Sequence, residues 1–282
     1  MQHCELAAKL VDQAQPKEQH AALLRDHGYE GLFYPWVYLA WSQVLTGQVD
    51  AARKTWREVT ELAERIGDPY VSAAVFTFGA VMHADLGDLA TAGALAAKIR
   101  EICADKPFPM WNAVGFTVGG HCRIHHGDTE AGISDIQMGL EMYRATGAKV
   151  PYPYHIKSLA EAFLAGGEAA RACETLQEAL GMMRTNLDRN FEPEMLRVLG
   201  EVQAGQGQPD AARTTLLAAL DLAQSQGARL LELKIATTLA QVLEKQGNNS
   251  EARRVLAAAA ESFPPTSDFA PLTKANELLD RL

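Results

Sequence analysis

The chain has 282 residues, 48% of them hydrophobic and 22% charged, which is enough apolar material to bury a sizeable core. Its 26 Lys and Arg against 35 Asp and Glu leave a net charge of −9; this argues against nucleic acid or an anionic membrane surface as partner, because neutralising phosphates needs clustered basic side chains. No run of 18 apolar residues occurs, and the N-terminal MQHCELAAKL carries Glu5 and no continuous apolar stretch, so neither a membrane span nor a secretory signal is expected. The four cysteines (Cys4, Cys103, Cys122, Cys173) show no CxxC spacing and are expected as reduced thiols of a cytoplasmic protein.

Length alone would allow two globular domains of roughly 150 residues each. A repeat replaces that expectation. Glycine stands at 47, 87, 127, 167, 207 and 247, always 40 residues apart. Seven residues before each glycine come Ala40, Ala80, Gly120, Ala160, Gly200 and Ala240; five after come Ala52, Ala92, Gly132, Ala172, Ala212 and Ala252. Only Ala or Gly fills these twelve slots, the choice where two helices approach closely. Taken from the N-terminus, residues 1–14 pattern as the second helix of an incomplete repeat, and a short helix over Lys17–His27 follows Pro16. Six units follow, each a helix ending at glycine (Ala40–Thr46, His83–Leu86 and Leu239–Gln246 show the pattern), a polar residue, then a second helix. Among those polar residues Asp88, Asp128 and Asn248 are the expected N-caps.

The second helix of each unit carries apolar or small pairs nine and twelve residues after the glycine, such as Ala96/Ile99 and Leu216/Ala219, at helical spacing. Gly67-Asp68-Pro69, Pro107-Phe108-Pro109, Gly147 to Pro153, Glu192-Pro193 and Gly227 mark the turns between units. Leu272, Ala275, Leu278 and Leu279 put an apolar stripe on a final capping helix. No alternating β-branched stretch competes, so the chain is expected to be all-α. Its organisation is expected as N-terminal helices over 1–28, six repeats over 29–265 and a cap over 266–282, forming one elongated domain.

Catalytic signatures are sparse. The sequence holds no GxxxxGK[ST], GxSxG or HExxH, and Gly205-x-Gly207 lacks the third glycine of a dinucleotide fingerprint. Gly115, Gly119 and Gly120 sit within an expected helix, where close packing explains them. In His121-Cys122-Arg123-Ile124-His125-His126, His121 and His125 share a helix face, as do Cys122 and His126, yet no further ligand is spaced nearby to complete a metal site. Lys157/Glu161 and Arg197/Glu201 are i, i+4 pairs of opposite charge, expected as surface or groove ion pairs. No enzyme and no cofactor is expected.

The pattern resembles the tetratricopeptide repeat: Trp36-Val37-Tyr38-Leu39-Ala40 with Gly47 and Ala52 matches its aromatic-x₂-Leu-Ala, Gly, Ala signature, and Leu159-Ala160 with Gly167 and Ala172 matches in part. The period of 40 exceeds that repeat's 34, adding roughly 9 Å of helix per unit at 1.5 Å per residue. Segments such as FEPEMLRVLGEV and ARLLELKIATTLAQVLEKQGNNSEARRVL are similar to the C-terminal repeat region of large bacterial signalling proteins, in which a class III adenylate/guanylate cyclase or a STAND- or LuxR-type regulator carries a P-loop ATPase module. The similarity spans roughly residues 19–282 and concerns the repeats alone.

The resemblance implies a right-handed α-α superhelix of about six hairpins whose first helices line a concave groove. Carrying over the family's groove positions gives Tyr34, Val37 and Trp41, then Ala74, Thr77 and Val81, then Val114, Thr117 and His121. Tyr154, Lys157 and Glu161 follow, then Glu194, Arg197 and Glu201, then Lys234, Thr237 and Gln241. The series runs from aromatic and apolar to charged, which suits an extended peptide or an amphipathic helix of a partner protein. The plainer alternative is that Tyr34, Val37 and Trp41 are core, packed on the N-terminal helices. The expected function is a non-catalytic module binding a peptide or partner segment. The rival is a sensor for a small-molecule effector, for which Tyr34, Trp41 and Tyr154 beside Glu161 and Arg197 would serve.

Overall fold

The computed structural model describes residues 30–148, 152–186 and 189–282. The expected N-terminal half-repeat and the helix over Lys17–His27 lie outside the described residues. Among those described, every regular element is an α-helix. Six hairpins follow one another: α1 (Glu30–Leu45) with α2 (Val49–Ile66), α3 (Pro69–Asp85) with α4 (Leu89–Cys103), and α5 (Pro109–His125) with α6 (Thr129–Ala145). Then come α7 (Tyr152–Ala165) with α8 (Ala169–Asn186), α9 (Glu192–Gly205) with α10 (Pro209–Gln226), and α11 (Arg229–Lys245) with α12 (Asn249–Ala260). The last helix is α13 (Ala270–Arg281).

One turn is built six times. Each period-40 glycine has φ between +73° and +90°, the left-handed conformation that only glycine adopts without strain. The next residue's N–H reaches back five residues, as in Gln48 N–H to the Gln43 carbonyl at 2.8 Å and Asn248 N–H to the Leu243 carbonyl at 2.9 Å. That bond satisfies a terminal carbonyl of the first helix and aims the chain into the second. Of the expected N-caps, Asp88 accepts from Thr91 N–H at 3.1 Å, while Asp128 and Asn248 make no side-chain cap.

The small residues do what their spacing implies: all twelve Ala and Gly slots are buried. A Cβ placed on Gly120 would lie 2.6 Å from the Gly132 carbonyl oxygen, so α5 and α6 touch backbone to backbone. Gly115 is packed too, its would-be Cβ 3.1 Å from Ile99. Ile99, Ile136, Leu176, Leu216 and Leu256 are fully enclosed between hairpins. On α13, Leu272, Ala275 and Leu278 are buried, as the apolar stripe requires, and Leu279 is half-buried.

The array is not elongated, contrary to expectation. The first helices pack in sequence, α1 on α3, α3 on α5, α5 on α7, α7 on α9 and α9 on α11, and α11 then packs on α1. Six inner helices therefore close a ring. A contiguous apolar cluster joins Ala40, Val44 and Met82 of the first two hairpins to Leu230, Leu233 and Leu239 of α11 and to Phe263 and Phe269 beyond α12. Burying apolar surface at both ends of the array supplies the reason for closure.

Candidate functional site

The inner helices aim their side chains into the bore of the ring, and the carried-over positions meet there. From α9, Arg197 donates to three carboxylates: Nε and Nη2 to Glu194 at 3.0 Å each, Nη2 to Glu161 on α7 at 2.8 Å, and Nη1 to Glu201 at 2.6 Å. Lys157 of α7 lies 3.7 Å from Glu194 and 3.9 Å from Glu161, and Lys234 of α11 donates to Glu194. Across the bore, Tyr154 donates its hydroxyl to Asp85 of α3 at 2.8 Å, and Lys234 stands 3.9 Å from the same carboxylate. Thr238 adds a bond to Glu201 at 3.2 Å.

The centre of this network is buried, with the Glu194 side chain 1% exposed and that of Arg197 8%, while Glu161 and Glu201, the acidic members of the two i, i+4 pairs, keep 22% and 30% of their side chains exposed to the bore. Burial by itself would raise the Glu161 carboxyl, but Lys157 and Arg197 outweigh it and hold the group down at about 2. Glu194 is driven lower still against the same burial, by Arg197, Lys234 and Lys157. Burial pushes His121 down to about 4, against the pull of Glu161 3.8 Å away, so its ring is neutral at pH 7. Burial, then Lys157, lowers His155 to about 3.

Beside the charges lies an aromatic wall. Trp41 of α1 stacks on Phe191 with ring centres 5.3 Å apart, Phe191 meets Tyr154 at 4.7 Å, and Phe78 of α3 contacts both Tyr34 and Trp41 edge-on. Two cavities share the bore, one charged and of about 660 Å³, the other aromatic and of about 640 Å³. Val81, Tyr154 and His155 line both and so form the partition.

The other expected groove residues fall into three groups. Val37, Ala74 and Val114 are core. Thr77 and Thr237 turn their hydroxyls onto their own helix carbonyls, and Thr117 bonds the Val114 carbonyl and faces His155 Nδ1 at 3.3 Å. Gln241 is half-buried on α11. His121 and His125 stack edge to face at 4.7 Å, and His126 Nδ1 lies 2.8 Å from the Cys122 carbonyl. Among the described residues no group of three His, Cys, Asp or Glu side chains is arranged to hold a metal ion.

Sequence reasoning missed Asp85, Phe78, Phe191 and Thr238. They occupy no carried-over position, and their partners lie 37 to 69 residues away or across the seam of the ring. The gradient from aromatic to charged also changes meaning, because closure brings its two ends together.

The tetratricopeptide-repeat family model matches residues 194–218, the stretch running from α9 into α10. The chain is a tetratricopeptide-like solenoid. A Rap protein complexed with competence and sporulation factor superposes with a TM-score of 0.69 at 12% identity, over 99% of this chain and 86% of that one. NprR in complex with its cognate peptide NprX gives 0.63 at 13% identity, over 92% and 77%. A STAND protein from Pyrococcus horikoshii with a tetratricopeptide repeat sensor gives 0.50 at 19% identity; the match spans 98% of this chain and 43% of that one. No curated protein matches the sequence. Among the described residues no helix is long and apolar enough to cross a membrane.

Proposed function

We propose that this solenoid is a non-catalytic binding module of a bacterial signalling or regulatory protein, which holds a peptide or partner-protein segment against its inner helices in the cytoplasm. The observation carrying this reading is the bore: charged and aromatic side chains from all six inner helices converge on two cavities, although stacking of the hairpins requires only the small and aliphatic residues between them. Tyr34, Trp41, Tyr154, Lys157, Glu161, Arg197, Glu201 and Lys234 would make the contacts. Two structural neighbours, the Rap protein and NprR, are complexes with competence and sporulation factor and with a cognate peptide, respectively. The test is a titration of the purified chain against a library of randomised, fluorescently labelled peptides. Saturable binding that weakens at least tenfold in Glu161→Gln and Trp41→Ala is expected; affinities unchanged by both variants would remove the bore from the site.

The charged cavity favours a second reading, a sensor for a compact effector. Its size suits a small ligand, within the 300–1,000 Å³ usual for such sites. A thermal-shift screen separates the two: saturable stabilisation by one metabolite class, without peptide binding, selects the sensor.

A further inference from the structure

The charges that converge on the charged cavity do not balance. Four carboxylates, those of Asp85, Glu161, Glu194 and Glu201, each stand within 4 Å of one or more of three cations, Lys157, Arg197 and Lys234, and one negative charge is left over. His121 adds none, since burial holds its ring neutral at pH 7. Lys274 of α13 lines the cavity too, but it is exposed and within 4 Å of none of the four. The three cations are already committed: Arg197 makes four hydrogen bonds to carboxylates, Lys157 is shared by Glu161 and Glu194, and Lys234 by Glu194 and Asp85. Acceptors are left without donors. Glu201 takes both its bonds, from Arg197 and Thr238, on Oε1, and Asp85 takes that of Tyr154 on Oδ1, the oxygen that Lys234 also approaches. Among the described residues nothing donates to Glu201 Oε2 or Asp85 Oδ2, and Glu161 Oε2 is buried with no hydrogen-bond partner. A carboxylate oxygen held away from water without a donor costs free energy, which an incoming donor would recover. The backbone adds to the surplus: the last turns of α3, α5 and α7, ending at Asp85, His125 and Ala165, line the same cavity, and a helix C-terminus carries partial negative charge. With its side chain 30% exposed, Glu201 can be reached in the ring as it stands.

We propose that the charged cavity is a site for one organic cation: an ammonium or guanidinium group enters it, donates to the free oxygens of Glu201 and Asp85, and supplies the positive charge that the cluster lacks. Both groups carry several N–H donors and form the short, charge-assisted bonds that such oxygens accept. The group can belong to a lysine, an arginine or the terminal amine of a bound segment, or to a free amine; the chemistry recognised is the same. The surplus that attracts a cation also disfavours a carboxylate or a phosphate in this cavity. This rests on the reading of the bore as a binding surface and deepens it, by naming what its charged half selects.

The test uses the full chain and two kinds of probe. Fluorescent peptide pools, each with one position fixed as Lys, Arg, Glu or Leu, are titrated against it; agmatine and 1,5-diaminopentane are titrated by calorimetry, with glutarate as the anionic control. Pools fixed as Lys or Arg binding at least tenfold more tightly than those fixed as Glu or Leu support the site and give its cation to a peptide. Saturable binding of the free amines, with none of glutarate, supports it and gives the cation to a compact ligand. In Glu201→Gln and in Asp85→Asn, at unchanged helicity, the preference for the cation should fall at least fivefold. Should Asp85→Asn melt, Glu201→Gln decides alone, and a preference that it leaves unmoved overturns the proposal. Peptides that bind saturably without favouring a basic residue, or that favour an acidic one, overturn the cation site and leave binding in the bore standing. Amines that bind where no peptide does leave the cation site standing and remove the peptide reading. Binding of neither peptide nor amine at millimolar concentration overturns the site.

Discussion

Arg197 shows what a single residue does in this bore. Its guanidinium makes four hydrogen bonds to three carboxylates, one of them on another helix, and that fork geometry is one a lysine could not reproduce. Arg197→Met would leave Glu194, 1% exposed, short of its principal partner; a loss of about 3–5 kcal/mol is expected in urea unfolding. Adding Glu194→Gln and Glu161→Gln should recover most of it, because the cost comes from stranded charge and not from lost packing. Titration follows from the same burial. His121 and His155 are neutral when folded, with values lowered from 6.5 to about 4 and about 3, so the unfolded chain binds more protons as the pH falls below 6.5. Glu161, held at about 2 against an ordinary 4.5, contributes stability that is complete above 4.5 and fades as the pH falls towards 2. Calorimetric melting temperatures should therefore be level above pH 7, decline from 6.5 and drop faster below 4.5. A profile flat down to pH 4.5 would contradict the buried histidines.

At the scale of the element, glycine plays two separate parts in this chain, and substitution tells them apart. Gly120 faces the Gly132 carbonyl at a distance no Cβ tolerates, so Gly120→Ala should force α5 from α6 and cost about 1–3 kcal/mol in chemical denaturation. Gly181 sits within α8 with nothing inside 4 Å of its would-be Cβ. There Gly181→Ala should stabilise the chain by about 0.5–1 kcal/mol, since alanine restricts the unfolded backbone and favours helix. Helix ends and hairpin pairing were legible in sequence because they depend on contacts within one 40-residue unit: a left-handed glycine, a polar residue after it, small residues seven before and five after. Gly79 was not legible. A Cβ there would overlap the Trp56 ring of α2, a contact set by one hairpin's own aromatic and absent from the repeat pattern.

Closure governs the whole molecule. An open solenoid can fray from its ends, but here the ends pack on one another through α1 and α11, so losing either exposes the cluster that holds both. Tryptophan occurs only at 36, 41, 56 and 111, in the first three hairpins, whereas far-UV dichroism reports all thirteen described helices. Fluorescence and dichroism melts should therefore coincide in the wild type. Two separated transitions would show that the halves unfold independently and that closure contributes little.

The sequence by itself determined the repeat, its all-helical hairpins, the small-residue faces and the charged inner positions of α7, α9 and α11, since each follows from the residue types at fixed offsets from a glycine. Tertiary structure alone decided that the array closes. The bond from Tyr154 to Asp85 spans 69 residues, and the stack of Trp41 on Phe191 spans the bore. Such contacts depend on the small rotation between successive hairpins summed over six of them, a quantity that no local spacing encodes. That sum turned an expected open groove, graded from aromatic to charged, into a bore where both ends of the gradient meet.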